Sequence, residues 1–189
     1  STGRSSARRS TPQATTVEKV DQKVLFVDQK NKSKLLKHLM QTQNIKQALV
    51  FTRTKHGANK VCQFLGESGI PASAIHGNKS QTARTKALEN FKLGHVKALV
   101  ATDIAARGID IPGLSHVFNF DLPDVPESYV HRIGRTARAG KGGVAIAFCD
   151  ISERINLRDI EKTIGLKVPV IDHHPFVPPP GQIAPPPVP

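Results

Sequence analysis

Short apolar runs alternate along this chain with longer segments whose apolar residues recur at helical spacing. The predicted strands are 24–27, 48–51, 72–75, 98–101, 116–120 and 143–148. The predicted helices include 35–40, 58–65, 81–91, 128–133 and 153–164. Strands that are apolar on both faces and separated by amphipathic helices are typical of a parallel sheet covered on both sides. We therefore predict an α/β, doubly wound fold with a mostly parallel sheet and helices on both faces.

Polar residues follow four of the predicted strands directly. They lie at 52–55, 76–78, 102–103 and 119–121. In a doubly wound sheet, ligands bind at the carboxyl ends of the strands. We therefore expect one edge of the sheet to be polar and basic and to form the binding site.

The charge of the chain favours a polyanionic partner. Its 189 residues suit one domain with tails, and 27 Lys and Arg against 15 Asp and Glu give a formal net charge of +12. This balance favours nucleic acid or phosphorylated ligands. Tryptophan is absent and Tyr129 is the only tyrosine, so the chain has few aromatic side chains on which bases could stack. We therefore expect contacts with the phosphates of the nucleic-acid backbone instead.

The two cysteines, Cys62 and Cys149, lie far apart in apolar surroundings and lack the close spacing of a zinc site. We expect both to be buried, reduced thiols. No apolar run approaches the roughly 18 residues of a membrane span, and no charged and then hydrophobic leader is present. We therefore expect a cytoplasmic protein that does not contact a membrane.

The two ends of the chain differ in composition from its centre. Residues 1–16 are rich in Ser, Thr and Arg and contain no acidic residue, which is typical of a flexible basic linker. The segment from Pro175 onward holds eight of the 14 prolines and favours extended polyproline conformations. We predict a folded domain over 17–168 and a proline-rich, disordered tail over 169–189. A docking site for a proline-reading partner is the alternative for this tail.

A cluster of arginines lies at 131–138, where the sequence reads His-Arg-Ile-Gly-Arg-Thr-Ala-Arg. The guanidinium charge does not titrate near neutral pH, and the glycines at 134 and 140 let the backbone turn so that the arginines converge. A phosphate group is the ligand that such side chains favour. The alternative is a solvated helix end whose arginines complement the negative end of the helix dipole.

The decad 101–110, Ala-Thr-Asp-Ile-Ala-Ala-Arg-Gly-Ile-Asp, follows a predicted strand and also has two interpretations. A hydroxyl and backbone amides beside a strand end can hold a phosphate, and a carboxylate can accept from a sugar hydroxyl. Alternatively, Thr102 and Asp103 cap the turn that follows.

At two helix starts, polar residues could either contact nucleic acid or serve only the helix itself. Ser80 is the expected N-cap of a helix on which Gln81 and Arg84 lie one turn apart and can reach a nucleic-acid backbone. Arg84 can equally be one more solvated helix charge. Thr54 is a good helix cap and also a good phosphate donor.

Taken in order, these segments resemble the motifs of one family. Residues 51–55, Gln81 with Arg84, the decad 101–110 and the octet 131–138 are similar in sequence and spacing to motifs IV, IVa, V and VI of DEAD-box RNA helicases. The resemblance covers roughly residues 24–164, and the sequences at 51–59 and 75–81 look most like those of the bacterial RhlE group. It implies the second, C-terminal RecA-like domain of an ATP-dependent RNA helicase, which is a hydrolase.

By that resemblance each motif has an expected role. Arg135 and Arg138 reach the γ-phosphate of ATP held mainly by another domain, and Asp110 contacts the ribose. His131 and Arg107 couple the two domains. The residues expected to contact RNA phosphates and sugars are Thr54, Gln81, Arg84 and Thr102. The family usually has glycine where this chain has Ala137.

The chain lacks sequences that an ATPase of this kind needs. It contains no Gly-x-x-x-x-Gly-Lys-Ser/Thr phosphate loop and no Asp-Glu-Ala-Asp run. ATP and Mg²⁺ are therefore expected in the full-length enzyme, with none bound to this domain alone. The expected partners are RNA and the N-terminal RecA-like domain of the same protein, and we expect a monomer. Since the ATP is held elsewhere, we expect Arg135 and Arg138 to point into solvent in this domain.

Two alternatives stay open for the function. The first is a stand-alone basic module that binds RNA without any ATP role. The second is an independent nucleotide-binding enzyme of the doubly wound type. The second is disfavoured because the first strand-to-helix turn, at 52–57, lacks a Gly-x-Gly-x-x-Gly phosphate turn.

Overall fold

A six-stranded sheet forms the centre of the domain. The computed structural model describes residues 17–136 and 142–183. The strands are β1 (Val20–Phe26), β2 (Ala48–Phe51), β3 (Ala72–Ile75), β4 (Ala98–Ala101), β5 (His116–Asn119) and β6 (Gly143–Cys149). Their order across the sheet is β1-β6-β5-β2-β4-β3, and every neighbouring pair is parallel.

Helices cover both faces of this sheet. They are α1 (Lys32–Thr42), α2 (Lys55–Glu67), α3 (Gln81–Lys92), α4 (Pro126–Ile133), α5 (Arg154–Ile164) and the single turn α6 (Pro180–Ile183), with 3-10 turns at Gln29–Asn31 and Ile151–Glu153. Alternate residues of β2 enter different apolar clusters, since Val50 packs with α1 and α2 whereas Leu49 packs with α3. A third cluster joins α4 and α5 to β1 and β6. The predicted α/β, doubly wound fold is confirmed.

Several predicted boundaries differ from the structure by a few residues. The strand predicted at 24–27 begins at Val20, because buried Val20 and Gln22 alternate with exposed Asp21 in the pattern of an edge strand. The helix predicted from residue 153 begins one residue later. A 3-10 turn precedes it, and the Asp150 carboxylate caps this turn by accepting from the Glu153 N–H at 3.1 Å.

The helices that follow β2 and β3 each begin at a residue whose side-chain hydroxyl caps the helix N-terminus. Thr54 Oγ1 accepts from the Gly57 N–H at 3.0 Å, which starts α2. Ser80 Oγ accepts from the Ala83 N–H at 3.1 Å, which starts α3 and confirms the predicted cap. Both caps bring the helix N-termini to the carboxyl edge of the sheet.

The first residues of the predicted tail belong to the folded domain. Val170 pairs with Val24 of β1, with 2.9 Å hydrogen bonds from the Val24 N–H to the Pro169 carbonyl and from the Ile171 N–H to the Val24 carbonyl. Ile171 and Phe176 pack against the apolar cluster beside α1. The boundary predicted at residue 168 is therefore wrong, because the proline content of this segment masks the apolar side chains that pack on the domain.

The predicted linker at 1–16 and the end of the predicted tail at 184–189 lie outside the described residues. Cys149 is buried as predicted, and burial raises the pKa of its thiol to about 12. Cys62 is only half-buried, so the prediction for that thiol is wrong, because it lines an open groove on α2. Within the described ranges, no helix has both the length and the apolar composition to cross a membrane.

Candidate functional site

The parallel sheet gathers the predicted binding segments at one edge. Because all six strands run in the same direction, the segments that follow β2, β3, β4 and β5 emerge together at the carboxyl ends. These segments contain the polar residues predicted at 52–55, 76–78, 102–103 and 119–121. The sequence prediction that these polar segments meet at one edge of the sheet is confirmed.

The decad after β4 folds into a series of tight turns. The Thr102 carbonyl accepts from the Ala106 N–H at 3.1 Å, and the Ala106 carbonyl accepts from the Ile109 N–H at 3.2 Å. Gly108 has a φ of 77°, a left-handed conformation that favours glycine. These turns leave the side chains of Arg107 and Asp110 exposed and that of Thr102 half-buried.

Arg132 forms the centre of a buried clamp that the sequence analysis missed. Its Nε and Nη2 donate to the two carboxylate oxygens of Asp103 at 2.7 and 2.8 Å. Its Nη1 donates to Asn119 Oδ1 at 3.1 Å and to the Asp121 carbonyl at 2.6 Å. The guanidinium carbon lies 5.1 Å from the centre of the Phe51 ring, and Arg132 is only 2% exposed. We call Arg132, Asp103 and Asn119 the Arg132 clamp.

The Arg132 clamp revises two interpretations of the sequence. Asp103 does not merely cap a turn, because both of its oxygens bind Arg132 in a bidentate pair. The arginines of the octet are also not equivalent, since Arg132 belongs to the buried face of α4 with Tyr129 and Ile133. The three-residue spacing from Tyr129 to Arg132 is the signal that could have assigned it to that face.

Arg135 lies just beyond α4 and is held by the decad. Its Nη1 donates to the Ile109 carbonyl at 2.7 Å, and the residue is half-buried. The prediction that Arg135 points into solvent is therefore wrong, because the turns at 106–109 present a backbone carbonyl to it. Arg138 and Ala137 lie outside the described residues.

The turn after α4 does not use the freedom of glycine at position 134. Helix α4 ends at Ile133, and Gly134 has a φ of −62°, which any residue adopts. The segment instead packs closely on β6, where an added Cβ at Gly143 would lie 2.2 Å from Thr136 Cβ. Contact with Gly143, rather than a glycine turn at 134, fixes the backbone next to Arg135.

A small cleft lies between the decad and α4. It has a volume of about 120 Å³ and is lined by Phe51, Asp103, Ala106, Arg107, Ser128, His131, Arg132 and Arg135. The structure therefore brings together Arg107, His131 and Arg135, which sequence analysis predicted from separate motifs. Asp110 and Thr102 do not line this cleft.

The predicted RNA-contacting residues lie beside the cleft rather than in it. Gln81 is exposed in the first turn of α3. Arg84 Nη2 donates to the Ala105 carbonyl at 2.9 Å, so Arg84 bridges α3 to the decad and is not a solvated helix charge. The hydroxyl of exposed Thr54 accepts from Gly57, which leaves its proton available to an outside acceptor.

His76 orders the segment between β3 and α3. Its Nδ1 accepts from the Asn78 N–H at 3.2 Å, and its Nε2 lies 3.0 Å from Asn59 Oδ1. Burial, together with the charges of Lys79 and Lys55, lowers the pKa of His76 below its ordinary 6.5. The imidazole is therefore neutral near pH 7 and donates from Nε2 to Asn59.

A second buried charge cluster, centred on Lys32, lies beneath the same edge. Lys32 Nζ lies 2.7 Å from Glu153 Oε1, 3.0 Å from Asp121 Oδ1 and 3.6 Å from Asp150 Oδ2, and Lys32 is 1% exposed. We call these four residues the Lys32 cluster. It joins the start of α1 to the segments that follow β5 and β6.

The Lys32 cluster also fixes the segment that contains Thr54. The Arg53 N–H donates to Asp121 Oδ2 at 2.9 Å, and Arg53 Nη2 donates to Glu153 Oε2 at 3.3 Å. This cluster was not predicted from the sequence. Lys32 lies three and four positions before Leu35 and Leu36, on the apolar face of α1, and this helical spacing is the signal that could have placed it inside.

In the Lys32 cluster, burial and the neighbouring charges shift the pKa values of Lys32 and Asp150. Burial opposes the charged form of Lys32, but Glu153 and Asp121 outweigh it and raise the pKa of Lys32 above 10.5. Burial likewise opposes the charge of Asp150. The Ser152 hydroxyl and Lys32 outweigh that effect and lower the pKa of Asp150 below 3.8.

The cleft fits only part of a nucleotide. Its volume of about 120 Å³ is well below the roughly 300 Å³ at which small-molecule pockets begin. Arg107, His131 and Arg135 supply a basic rim suited to phosphate oxygens. Among residues 17–136 and 142–183, no three His, Cys, Asp or Glu side chains are grouped so that they could hold a metal ion.

The sequence of the domain matches a known family over most of this site. The family is described as the helicase conserved C-terminal domain, and the match spans residues 31–140, more than half of the chain. The chain belongs to this family. The matched region of this helicase domain contains the Lys32 cluster's lysine, the decad, the Arg132 clamp and the octet.

Individual relatives of this helicase domain are DEAD-box proteins. The DEAD-box ATP-dependent RNA helicase CshA of Bacillus cereus is 45% identical over 157 residues, which cover 83% of this chain and 30% of that protein. The structure of E. coli SrmB bound to regulator of ribonuclease activity A superposes with a TM-score of 0.77 at 37% identity, over 81% of this chain and 91% of that one.

A third similar protein has a solved structure that contains RNA. The structure of S. cerevisiae Dbp5 bound to RNA and ADP BeF3 superposes with a TM-score of 0.76 at 32% identity, over 89% of this chain and 48% of that one. This chain is thus a C-terminal helicase domain of the DEAD-box type. It spans about 30% of the length of the curated relatives it matches.

Proposed function

We propose that this domain is the second RecA-like domain of an ATP-dependent RNA helicase of the RhlE group, and that it completes an ATP site held mainly by the N-terminal RecA-like domain of the same protein. The position of Arg135 is the observation that carries the proposal. The Ile109 carbonyl holds its guanidinium at the rim of a cleft that also contains Arg107 and His131. A basic rim around so small a cleft suits a ligand that another domain presents.

In this proposal the domain contributes charge rather than binding the whole nucleotide. ATP and Mg²⁺, bound between the two domains, supply the phosphoryl-transfer chemistry. Arg135 and Arg138 stabilise the charge that develops on the transferred phosphoryl oxygens, and a positioned arginine contributes about 10³ to 10⁵ in rate. Asp110 accepts from the ribose, and Arg107 with His131 contacts the facing domain.

The RNA surface of the proposal lies beside the cleft. Thr54 and Gln81 are exposed and offer a hydroxyl and an amide to RNA phosphates and sugars. Thr102 is half-buried within the decad, and half-buried Arg84 on α3 donates to the Ala105 carbonyl of the same decad. Because the decad contacts both Arg84 and Arg135, RNA and ATP act on the same turns.

The assignment to the RhlE group rests on the sequences at 51–59 and 75–81. We further propose a monomer that acts in the cytoplasm. The formal net charge of +12 supports the monomer, since like-charged surfaces repel each other.

The arginine assignment is tested in the full-length protein. Changing Arg135 or Arg138 to Ala should lower kcat for ATP hydrolysis by about 10³-fold or more, with the affinity for ATP nearly unchanged. The matched control is Arg158→Ala, which removes an exposed arginine of α5 away from the cleft. An unchanged kcat in both the Arg135 and the Arg138 variants would contradict the arginine-finger role.

The RNA surface is tested by binding to a single-stranded RNA at several salt concentrations. Gln81→Ala should weaken binding, and Arg84→Ala should in addition reduce the slope of log K against log salt by about one. Lys92→Ala, at the far end of α3, is the control. Unaltered binding in the Gln81 and Arg84 variants would mean that neither residue contacts RNA.

A stand-alone RNA-binding module is separated from a half-domain by the affinity of this chain by itself. A dedicated binder should reach submicromolar affinity for RNA, whereas a domain that needs its N-terminal partner should bind weakly. Steady ATP hydrolysis by the isolated chain would contradict both descriptions and favour an independent nucleotide-binding enzyme.

A further inference from the structure

The two edges of the sheet differ in how they are covered. At the β1 edge, residues 169–171 of the same chain pair with Val24. At the other edge, β3 pairs only with β4 among the strands that the structure describes. A groove of about 460 Å³ runs along β3, with α2 on one side and α3 on the other.

Among the described residues, the backbone of β3 has hydrogen-bonding groups without a strand partner, and these groups face the groove. In a parallel pair, alternate residues of a strand direct both backbone groups toward the neighbouring strand. The Pro71 carbonyl accepts from the Ala98 N–H, and Ala72 is in register with Ala98. Ser73 therefore bonds to β4, and the N–H and carbonyl groups of Ala72 and Ala74 point outward.

The walls of the groove allow another strand to approach closely. Small side chains line it on β3 and on α3, namely Ala72, Ser73, Ala74, Ala83 and Ala87. A paired strand lies about 4.8 Å away, and residues without bulky side chains permit that distance. The four residues of β3 span about 13 Å, enough for a segment of similar length.

The charges of the groove are all of one sign. Lys79 stands at the carboxyl end of β3 and Lys86 on the facing side of α3, while no Asp or Glu is among its lining residues. Asn59, Gln63 and Asn90 add amide groups. Carboxylate side chains on an incoming segment would therefore meet cations and amide donors.

We propose that the β3 edge is a docking site for an extended acidic peptide of a partner protein, which adds to the sheet as a seventh strand beside β3. The outward N–H and carbonyl groups of Ala72 and Ala74 pair with its backbone, and Lys79 and Lys86 pair with its carboxylates. This site is separate from the cleft and does not rest on the ATP or RNA roles proposed above.

Other occupants fit the groove less well. Residues 1–16 carry arginines and no acidic residue, and residues 184–189 contain four prolines, which lack the N–H that a ladder needs. A second copy docked edge to edge would bring lysines against lysines. RNA would meet outward carbonyls that repel phosphate, and the groove's lining residues include no aromatic side chain on which bases stack.

The proposal is tested with the 189-residue chain and a synthetic peptide, acetyl-Val-Glu-Val-Asp-Val-Glu-amide, at millimolar concentration. Backbone amide signals of Ala72, Ala74, Lys79 and Lys86 should shift in NMR spectra as the peptide is added. A version of the peptide N-methylated at alternate residues should bind about fivefold more weakly, because it loses N–H donors without losing charge.

Variants of the domain supply the second arm of the test. Lys86→Glu should weaken peptide binding by about fivefold, whereas Lys60→Glu, an exposed change on α2 outside the groove lining, should not. Equal binding of a peptide with Lys in place of its acidic residues, or no shift at β3 for any peptide, would overturn the proposal. Shifts at β3 with hexauridylate instead of the peptide would also overturn it and assign the groove to RNA.

Discussion

Lys32 and Arg132, the two most buried cations among the described residues, lie beneath the same edge of the sheet but have different surroundings. Lys32 is enclosed by three carboxylates whose side chains are 3 to 16% exposed. Arg132 is equally buried, but its partner Asp103 is 41% exposed and lines the cleft. The Lys32 cluster is therefore closed within the fold, whereas the Arg132 clamp connects the interior to the functional surface.

This difference separates charges that hold the domain together from charges that position its site. Removing a partner from a closed cluster leaves uncompensated buried charge, which is costly. Removing the cation of a clamp that opens to solvent lets water reach the remaining carboxylate. The predictions below test that distinction.

The largest loss of stability is expected for Lys32→Met. It leaves Glu153, Asp121 and Asp150 without their shared cation, and the free energy of unfolding should fall by about 3 to 5 kcal/mol. Urea denaturation measures this value. Lys34→Met, an exposed change on the same helix, should stay within about 0.5 kcal/mol of the parent. A loss in Lys32→Met no larger than that of the control would mean that the cluster is not a stability element.

A smaller loss is expected for Arg132→Met. Asn119 Oδ1 and the Asp121 carbonyl lose their donor, at a cost of about 1 to 3 kcal/mol, while exposed Asp103 is rehydrated. The NMR signals of His131 and Arg135 should also shift, because the clamp lies beneath the cleft. If Arg132→Met costs more than Lys32→Met, the distinction between the closed cluster and the open clamp is wrong.

Gly143→Ala tests the segment that follows the clamp. Its new Cβ would meet Thr136 at 2.2 Å, and the overpacking should cost about 1 to 3 kcal/mol in thermal or urea unfolding. The signals of Arg135 should shift while those of Arg132 stay in place, since the clamp holds α4. Gly66→Ala, where nothing lies within 4 Å of the added Cβ, is the control and should not destabilise the domain.

The smallest expected effect is a difference in pH dependence. The pKa of Lys32 is raised above 10.5 in the folded state. The contribution of its charge to the free energy of unfolding is therefore complete below pH 10.5 and is lost as the pH rises through the pKa of the folded state. The stability gap between the parent and Lys32→Met should therefore narrow by up to about 1.4 kcal/mol per pH unit there. The gap between the parent and Arg132→Met should stay constant, because arginine does not titrate in this range. A parallel change in both gaps would contradict the assignment.

Several predicted elements match the structure closely. The strands at 48–51, 72–75 and 98–101 have the predicted bounds, because each is a short apolar run buried on both faces. The first half of β1 was not predicted, since an edge strand alternates polar and apolar residues. The pairing of 169–171 with β1 was also missed, because the high proline content of the tail obscured the apolar residues Val170, Ile171 and Phe176.

The candidate site was predictable in part. The order and spacing of the motifs along the chain identified the decad, the octet and the helix start at Gln81 as parts of the site. The parallel sheet brings these segments to one edge. Arg84 and Arg135 differ from expectation for one reason. Both donate to backbone carbonyls of the decad. Hydrophobic periodicity does not predict the conformation of the turns that present those carbonyls.

Local sequence patterns were enough to predict which segments form strands and helices along the chain, the parallel sheet, and the edge at which the functional segments meet. These features follow from local patterns, since strand and helix periods are visible within a few residues. The partners of the buried charges, in contrast, are visible only in the folded domain. Lys32 and Glu153 lie 121 positions apart, and Arg132 and Asp103 lie 29 apart. Helical spacing can indicate that Lys32 and Arg132 face inward, but their carboxylate partners are set by long-range packing that the local sequence does not encode.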